Sequence, residues 1–129
     1  MIINSAAMIY FSPTGTTKKV INFIVAGMGI DNNRLIDITS PKIRNLNSYI
    51  ISEDIILIGV PVYATHIPKI VEPFLRSLKG NNKPVVLITL YGNMDNGVAL
   101  NELYSIAKDS EFKVVAVGSF IGEHSFSTE

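Results

Sequence analysis

The sequence predicts one α/β domain built on a doubly wound, five-stranded parallel sheet. Two observations carry that expectation. Short apolar runs alternate with stretches of helical period along the whole chain. In addition, 47% of the 129 residues are apolar and the mean hydropathy is positive, as suits a sheet buried on both faces. A chain of this length fits one domain with one sizeable core.

Ala6 to Phe11 reads as the first strand. From Lys18 to Met28 the residues Val20, Ile21, Ile24 and Met28 share a helical face, and Gly27 and Gly29 mark its end. Arg34 to Ile38 is a short second strand. Pro41 to Ser52 carries no clear period, and a short helix or turn fits it best. Ile55 to Val60 is an unbroken apolar run, as a central parallel strand requires. Pro68 suits the first turn of a helix whose buried face is Ile70, Val71, Phe74, Leu75 and Leu78, with Gly80 as its stop. Pro73 falls inside that helix, where it removes a hydrogen bond and is expected to kink or restart it. Val85 to Leu90 is the fourth strand. Asp95 or Asn96 caps the next helix, in which Leu100, Leu103 and Ala107 share a face. Val114 to Ile121 is the fifth strand.

This alternation implies right-handed crossovers with helices on both faces. Ligands of such folds sit beyond the carboxyl ends of the strands, where the strand order reverses. The loops after the first, third and fourth strands therefore matter most. No helical segment follows the fifth strand in HSFSTE. A doubly wound sheet of this size is expected to need one more covering helix, so the chain reads as a domain excised from a longer protein. An apolar face left uncovered leaves self-association of two copies open.

The formal net charge is zero, and no basic stripe supports nucleic-acid binding. No apolar run approaches the roughly 20 residues of a membrane helix. The amino terminus, MIINSAAMIYFS, lacks the basic region of a secretory signal. Cysteine is absent, which excludes disulfides and thiolate chemistry in these residues and fits a reducing cytoplasm. Two histidines, His66 and His124, are too few for a histidine-rich metal site.

The loop after the first strand reads YFSPTGTTKKV. Ser12, Thr14, Thr16 and Thr17 surround Gly15, which permits a tight turn and a close backbone approach. A helix starts at once, with its free N–H groups and positive dipole end aimed at the loop. Such an arrangement binds an anion, and phosphate suits it best. It is not a P-loop, which needs a lysine after its second glycine, nor a dinucleotide fingerprint, which needs three spaced glycines. The competing reading of the hydroxyls is simple helix capping.

Ser12-Pro13-Thr14-Gly15-Thr16-Thr17 resembles the flavodoxin phosphate loop, [ST]-x-[ST]-G-x-[ST]. The segments GVPVYATHIPKIVEPFL, YGNMDNGVAL and VGSFIGEHSFS resemble a narrower group. These are the flavodoxin-like domains of the EFR-type flavodoxin/ferredoxin fusion ("ferrodoxin") family of anaerobic proteins. The resemblance covers essentially the whole chain. It implies the strand order 2-1-3-4-5, non-covalently bound FMN and electron transfer to a fused ferredoxin domain following Glu129. That domain would carry the Fe–S clusters. It also implies that the second and third loops flank the flavin ring. Tyr63 and Tyr91 are the expected ring neighbours, with Pro61, Val62 and the backbone of Ala64, Thr65, Gly92 and Asn93 as further contacts. The second loop lacks a glycine between Val60 and Pro68. A peptide flip there is expected to be harder than in a glycine-bearing loop, with weaker stabilisation of the half-reduced flavin. His66 near the rim is expected to be solvated more often than functional, and Glu123-His124 receives no chemical role.

No catalytic acid, base or nucleophile cluster stands out, so an electron-transfer domain is the leading expectation. An FMN-dependent reductase of a small molecule such as a quinone, and a docking module that has lost FMN, remain as alternatives. A response-regulator receiver is excluded, since Pro61-Val62 stands where its acidic phosphoacceptor would be. Neutral charge gives weak long-range steering, which suits a tethered Fe–S partner better than a free one.

Overall fold

The computed structural model describes residues 2–46, 49–91 and 98–121. Five parallel strands form one sheet in the order β2-β1-β3-β4-β5. They are β1 (Ser5–Tyr10), β2 (Asn32–Asp37), β3 (Ile55–Pro61), β4 (Pro84–Tyr91) and β5 (Lys113–Ile121). Three helices of more than one turn join them: α1 (Thr16–Gly27), α3 (Glu72–Ser77) and α4 (Ala99–Asp109). Between β2 and β3 lies the single turn α2 (Pro41–Arg44), so the segment without clear period is helical for four residues. The predicted cap at Asp95 or Asn96 lies outside the described residues.

Alternation along the strands divides the core between the two sheet faces. Ala7, Ile9, Ile56, Ile58, Val60, Val85 and Leu87 pack with Phe74, Leu75, Leu103, Ile106 and Ala107 of α3 and α4. Ala6, Met8, Tyr10, Leu57, Ile88 and Leu90 pack with Val20, Ile21 and Val25 of α1. Both sides of β1 and β3 are therefore apolar, as their uninterrupted hydrophobic runs require.

Two expectations about helix faces fail. Ile70 is 53% exposed. Pro68 is extended, and the segment begins as a 3-10 turn over Lys69–Val71 before α3 starts at Glu72. Pro73 cannot supply the N–H that a continuous α-helix would need at that position, so the helix restarts with Pro73 in its first turn. The change from three to 3.6 residues per turn shifts Ile70 off the buried face. Met28 likewise follows the last helical residue and is 39% exposed, while Ile24 is only partly buried.

The placement of α1 rests on Gly59 in the middle of β3. A Cβ there would lie 2.5 Å from Ile21 Cδ1 and 3.0 Å from Thr17 Cγ2. Ile21 is wholly buried and Thr17 nearly so, so the helix meets the strand with no space for a methyl group. Among the described residues α1 is the only helix on its face of the sheet, and none follows β5. Val115, Val117, Phe120 and Ile121 of β5 are exposed, as is Phe23 of α1. Phe23 and Phe120 line an apolar groove of about 380 Å³ together with Lys19, Val20 and Ile24.

At the amino edge of the sheet, Arg34 of β2 forms a two-pronged bond to Glu53, Nε to Oε2 and Nη2 to Oε1, both 2.9 Å. Arg34 also donates to the Ile50 carbonyl, and Lys83 Nζ donates to the Glu53 carbonyl. These bonds tie β2, the strand β3 entry and β4 together. Burial opposes ionisation of Glu53, but its bonds from Arg34 and from backbone amides outweigh that and hold its carboxyl below the ordinary 4.5.

Replacing Gly59 by alanine is expected to destabilise the fold by about 1–3 kcal/mol, since Ile21 and Thr17 must move aside; urea unfolding measures it. The depressed Glu53 ionisation stabilises the fold fully above its unfolded value near 4.5. That contribution is lost as pH falls through the folded value. The acid limb of the unfolding free energy is therefore expected to be shallower in Glu53→Gln than in the wild type.

Candidate functional site

The carboxyl ends of β1, β3 and β4 bring the predicted loops to one edge of the sheet, at the point where the chain changes direction from β1 toward β2 to β3 toward β4. The first loop runs from Ser12 to Thr17. Gly15 takes φ +88°, the left-handed conformation that a glycine adopts freely, and its N–H donates to the Ser12 carbonyl at 3.2 Å. This turn brings the chain into α1 directly.

The hydroxyls divide their work. Ser12 Oγ accepts the Lys18 N–H at 3.1 Å, so Ser12 does cap the helix across the turn. Thr14 Oγ1 lies 3.3 Å from Thr16 Oγ1, on the exposed side of the loop. Thr17 turns its methyl group onto Gly59 and anchors the helix to β3. The first two amides of α1, those of Thr16 and Thr17, have no acceptor among the described residues. They lie at the positive end of a twelve-residue helix. Lys18 and Lys19 are exposed. The loop thus offers unmatched amides and hydroxyls to an anion.

Residues that sequence reasoning passed over hold this loop in place. Thr39, two residues beyond β2, accepts the Ser12 N–H on its Oγ1 at 2.7 Å. Its own N–H donates to Asp37 Oδ1. The signal was present as Asp37-Ile38-Thr39, an aspartate whose side chain bonds the backbone two residues on. Arg44 donates to the carbonyls of Ile38 and Thr39 and lies over the Phe11 ring.

The second loop begins at Pro61, where Val62 N–H donates to the Leu90 carbonyl at 2.7 Å. The chain then makes a two-residue hairpin. Tyr63 N–H donates to the His66 carbonyl at 2.7 Å, and His66 N–H to the Tyr63 carbonyl at 2.9 Å. Ala64 and Thr65 occupy its centre with φ +49° and +69°. Such turns ordinarily use asparagine and glycine, because the left-handed region strains most residues with a Cβ and these two tolerate it best. Tyr63 stands 49% exposed beside this turn. Partial burial raises its phenol pKa above 10.

Tyr91 ends β4, half-buried, and reaches the same edge as the second loop. Of the predicted site residues, Ser12, Thr14, Gly15, Thr16 and Thr17 come together in the first loop. Pro61, Val62, Tyr63, Ala64 and Thr65 form the second, and Tyr91 opens the third. Gly92 and Asn93 lie outside the described residues, as does Glu123-His124. No group of three metal-ligating side chains occurs among the described residues. None of their helices is long and apolar enough to cross a membrane.

Comparison with known proteins agrees with this fold. The two-electron reduced flavodoxin of Megasphaera elsdenii is 25% identical, with TM-score 0.65 over 89% of this chain and 85% of that one. Oxidised flavodoxin 1 from Bacillus cereus superposes with TM-score 0.71 at 18% identity, over 95% and 88% of the two chains. A flavoprotein in complex with FMN from Lactobacillus acidophilus gives TM-score 0.64 at 18% identity, over 90% and 93%. A search of curated proteins finds no significant match. The profile of the flavodoxin domain matches residues 7–124, and the chain belongs to that family.

Proposed function

We propose that this domain binds FMN without a covalent bond and serves in electron transfer. The observation that carries the reading is the pair of unmatched amides, Thr16 and Thr17, at the start of α1 beside the hydroxyls of Ser12, Thr14 and Thr16. Neutral donors of this kind solvate a phosphate monoester dianion without a paired cation. Thr14, Gly15, Thr16 and Thr17 would hold the phosphate, with Ser12 fixing the turn. Tyr63 and Tyr91 would border the ring, and the backbone of Ala64 and Thr65, with Gly92 and Asn93, would meet its polar edge. Bound FMN supplies reversible one- and two-electron chemistry, while the protein supplies position and electrostatics.

An Fe–S protein or domain is the electron partner that we propose. The likeness of the later segments to flavodoxin/ferredoxin fusions supports it, as does the zero net charge, which favours a tethered partner over long-range steering. On this reading residues 1–129 form the flavodoxin-like part of a longer cytoplasmic protein, and the apolar face of β5 meets a further element or a second copy.

The test is an ultraviolet–visible spectrum of the purified protein, before and after addition of FMN. Two flavin bands that survive desalting are expected, and their absence after reconstitution would overturn the reading. The phosphate loop makes a sharper prediction. FMN is expected to bind at least about a hundredfold more tightly than riboflavin, since charged hydrogen bonds contribute about 1.5–3 kcal/mol each. Gly15→Val, which strains the turn, is expected to lower FMN affinity and leave riboflavin affinity nearly unchanged. Fluorescence titration of both flavins measures this.

A further inference from the structure

The hairpin at Ala64 and Thr65 needs an external restraint, because left-handed residues with side chains persist only where their surroundings over-determine them. The restraint comes from α4. Val98, just before that helix, donates its N–H to the Thr65 carbonyl at 3.1 Å. One turn further on, Glu102 reaches back with both carboxylate oxygens. Oε1 accepts the Ile67 N–H at 2.9 Å, and Oε2 lies 2.8 Å from His66 Nδ1. Glu102 N–H in turn donates to the Val98 carbonyl at 2.8 Å, so the grip is part of the helix itself. One side chain thus holds the last residue of the strained turn, His66, and the residue that follows it, Ile67.

We infer that Glu102 is a positioning residue for the flavin loop: it holds the turn Tyr63–His66 in the shape that meets the cofactor. The inference rests on the FMN reading for its functional part. The clamp is a property of the folded chain alone. The two arms differ in weight. His66 and Glu102 are both substantially solvent-exposed, so their contact alone holds little. Ile67 is 4% exposed, and Glu102 is the only acceptor of its N–H among the described residues. Burial disfavours the Glu102 carboxylate, yet the bonds from His66 and the Ile67 amide, with the charges of His66 and Lys69, keep it more readily ionised than usual. Glu102 is accordingly an ionised acceptor in the clamp near neutral pH.

The experiment compares Glu102→Ala, Glu102→Gln and the control Glu72→Gln, which removes an exposed carboxylate whose ion pair is with Arg76 of α3 and not with the loop. Alanine and glutamine are strong helix formers, and far-ultraviolet circular dichroism checks that each variant folds. Three quantities are read: the FMN dissociation constant, the flavin midpoint potential, and the hydrogen-exchange protection of the Ile67 amide in FMN-free protein. Glu102→Ala is expected to weaken FMN binding at least about tenfold, the effect of losing bonds to a charged group. It should also shift the potential and lower Ile67 protection by a similar factor. Glu102→Gln retains an oxygen for the Ile67 N–H and is expected to restore most of all three. The control should change none of them. Wild-type affinity, potential and amide protection in Glu102→Ala would overturn the proposal. Should the wild type bind no FMN, the functional reading falls, and Ile67 protection then decides the clamp. Loss of protection in Glu102→Ala upholds it, and unchanged protection removes it.

Discussion

The contact between α1 and β3 at Gly59 is the constraint on which the site depends. A strand residue with no side chain lets Ile21 and Thr17 come down onto the sheet. That contact sets the height and direction of α1, and so where its first amides point. The loop Ser12 to Thr17 then has little freedom left. Its one unusual conformation falls on Gly15, and Thr39 and Arg44 close it from the side of β2. The direction in which the first amides of α1 point is a consequence of packing one full turn deeper in the core.

The two loops reach a defined shape by opposite means. The first follows local preference: glycine where φ is positive, serine where a cap is needed, and a helix beginning immediately afterwards. The second goes against local preference, with alanine and threonine in the left-handed region. Its shape is imposed from outside, by the paired backbone bonds of Tyr63 and His66 and by the carboxylate of Glu102. A loop of the first kind is set by its own sequence. A loop of the second kind answers to whatever holds it.

This contrast also explains what could be read from the sequence. Strands β1, β3 and β4 were legible because a buried parallel strand is a continuous apolar run, and the turn at Gly15 into α1 because its preferences are local. The boundaries moved by one or two residues, as at Asn32 and Lys113. Ile70 was misplaced because the period changes within the segment, which a single helical template cannot follow. Pro73 had nonetheless announced the restart. The hairpin at Ala64 and Thr65 left no asparagine–glycine signal. The tie from Glu102 to Ile67 joins residues 35 positions apart, a separation that no local pattern encodes.

Strand β5 has one further consequence. Val85 pairs with Val114 and Val86 with Ala116, so Val115 is an extra residue in the ladder. A bulge of this kind bends the strand and tightens its twist. Because β5 lies at the margin of the sheet, its outer amides and carbonyls would otherwise offer a regular template to any extended chain. The inserted valine breaks that regularity where the strand begins. A margin interrupted in this way is a poorer template for a further strand than a regular one bearing the same exposed valines would be.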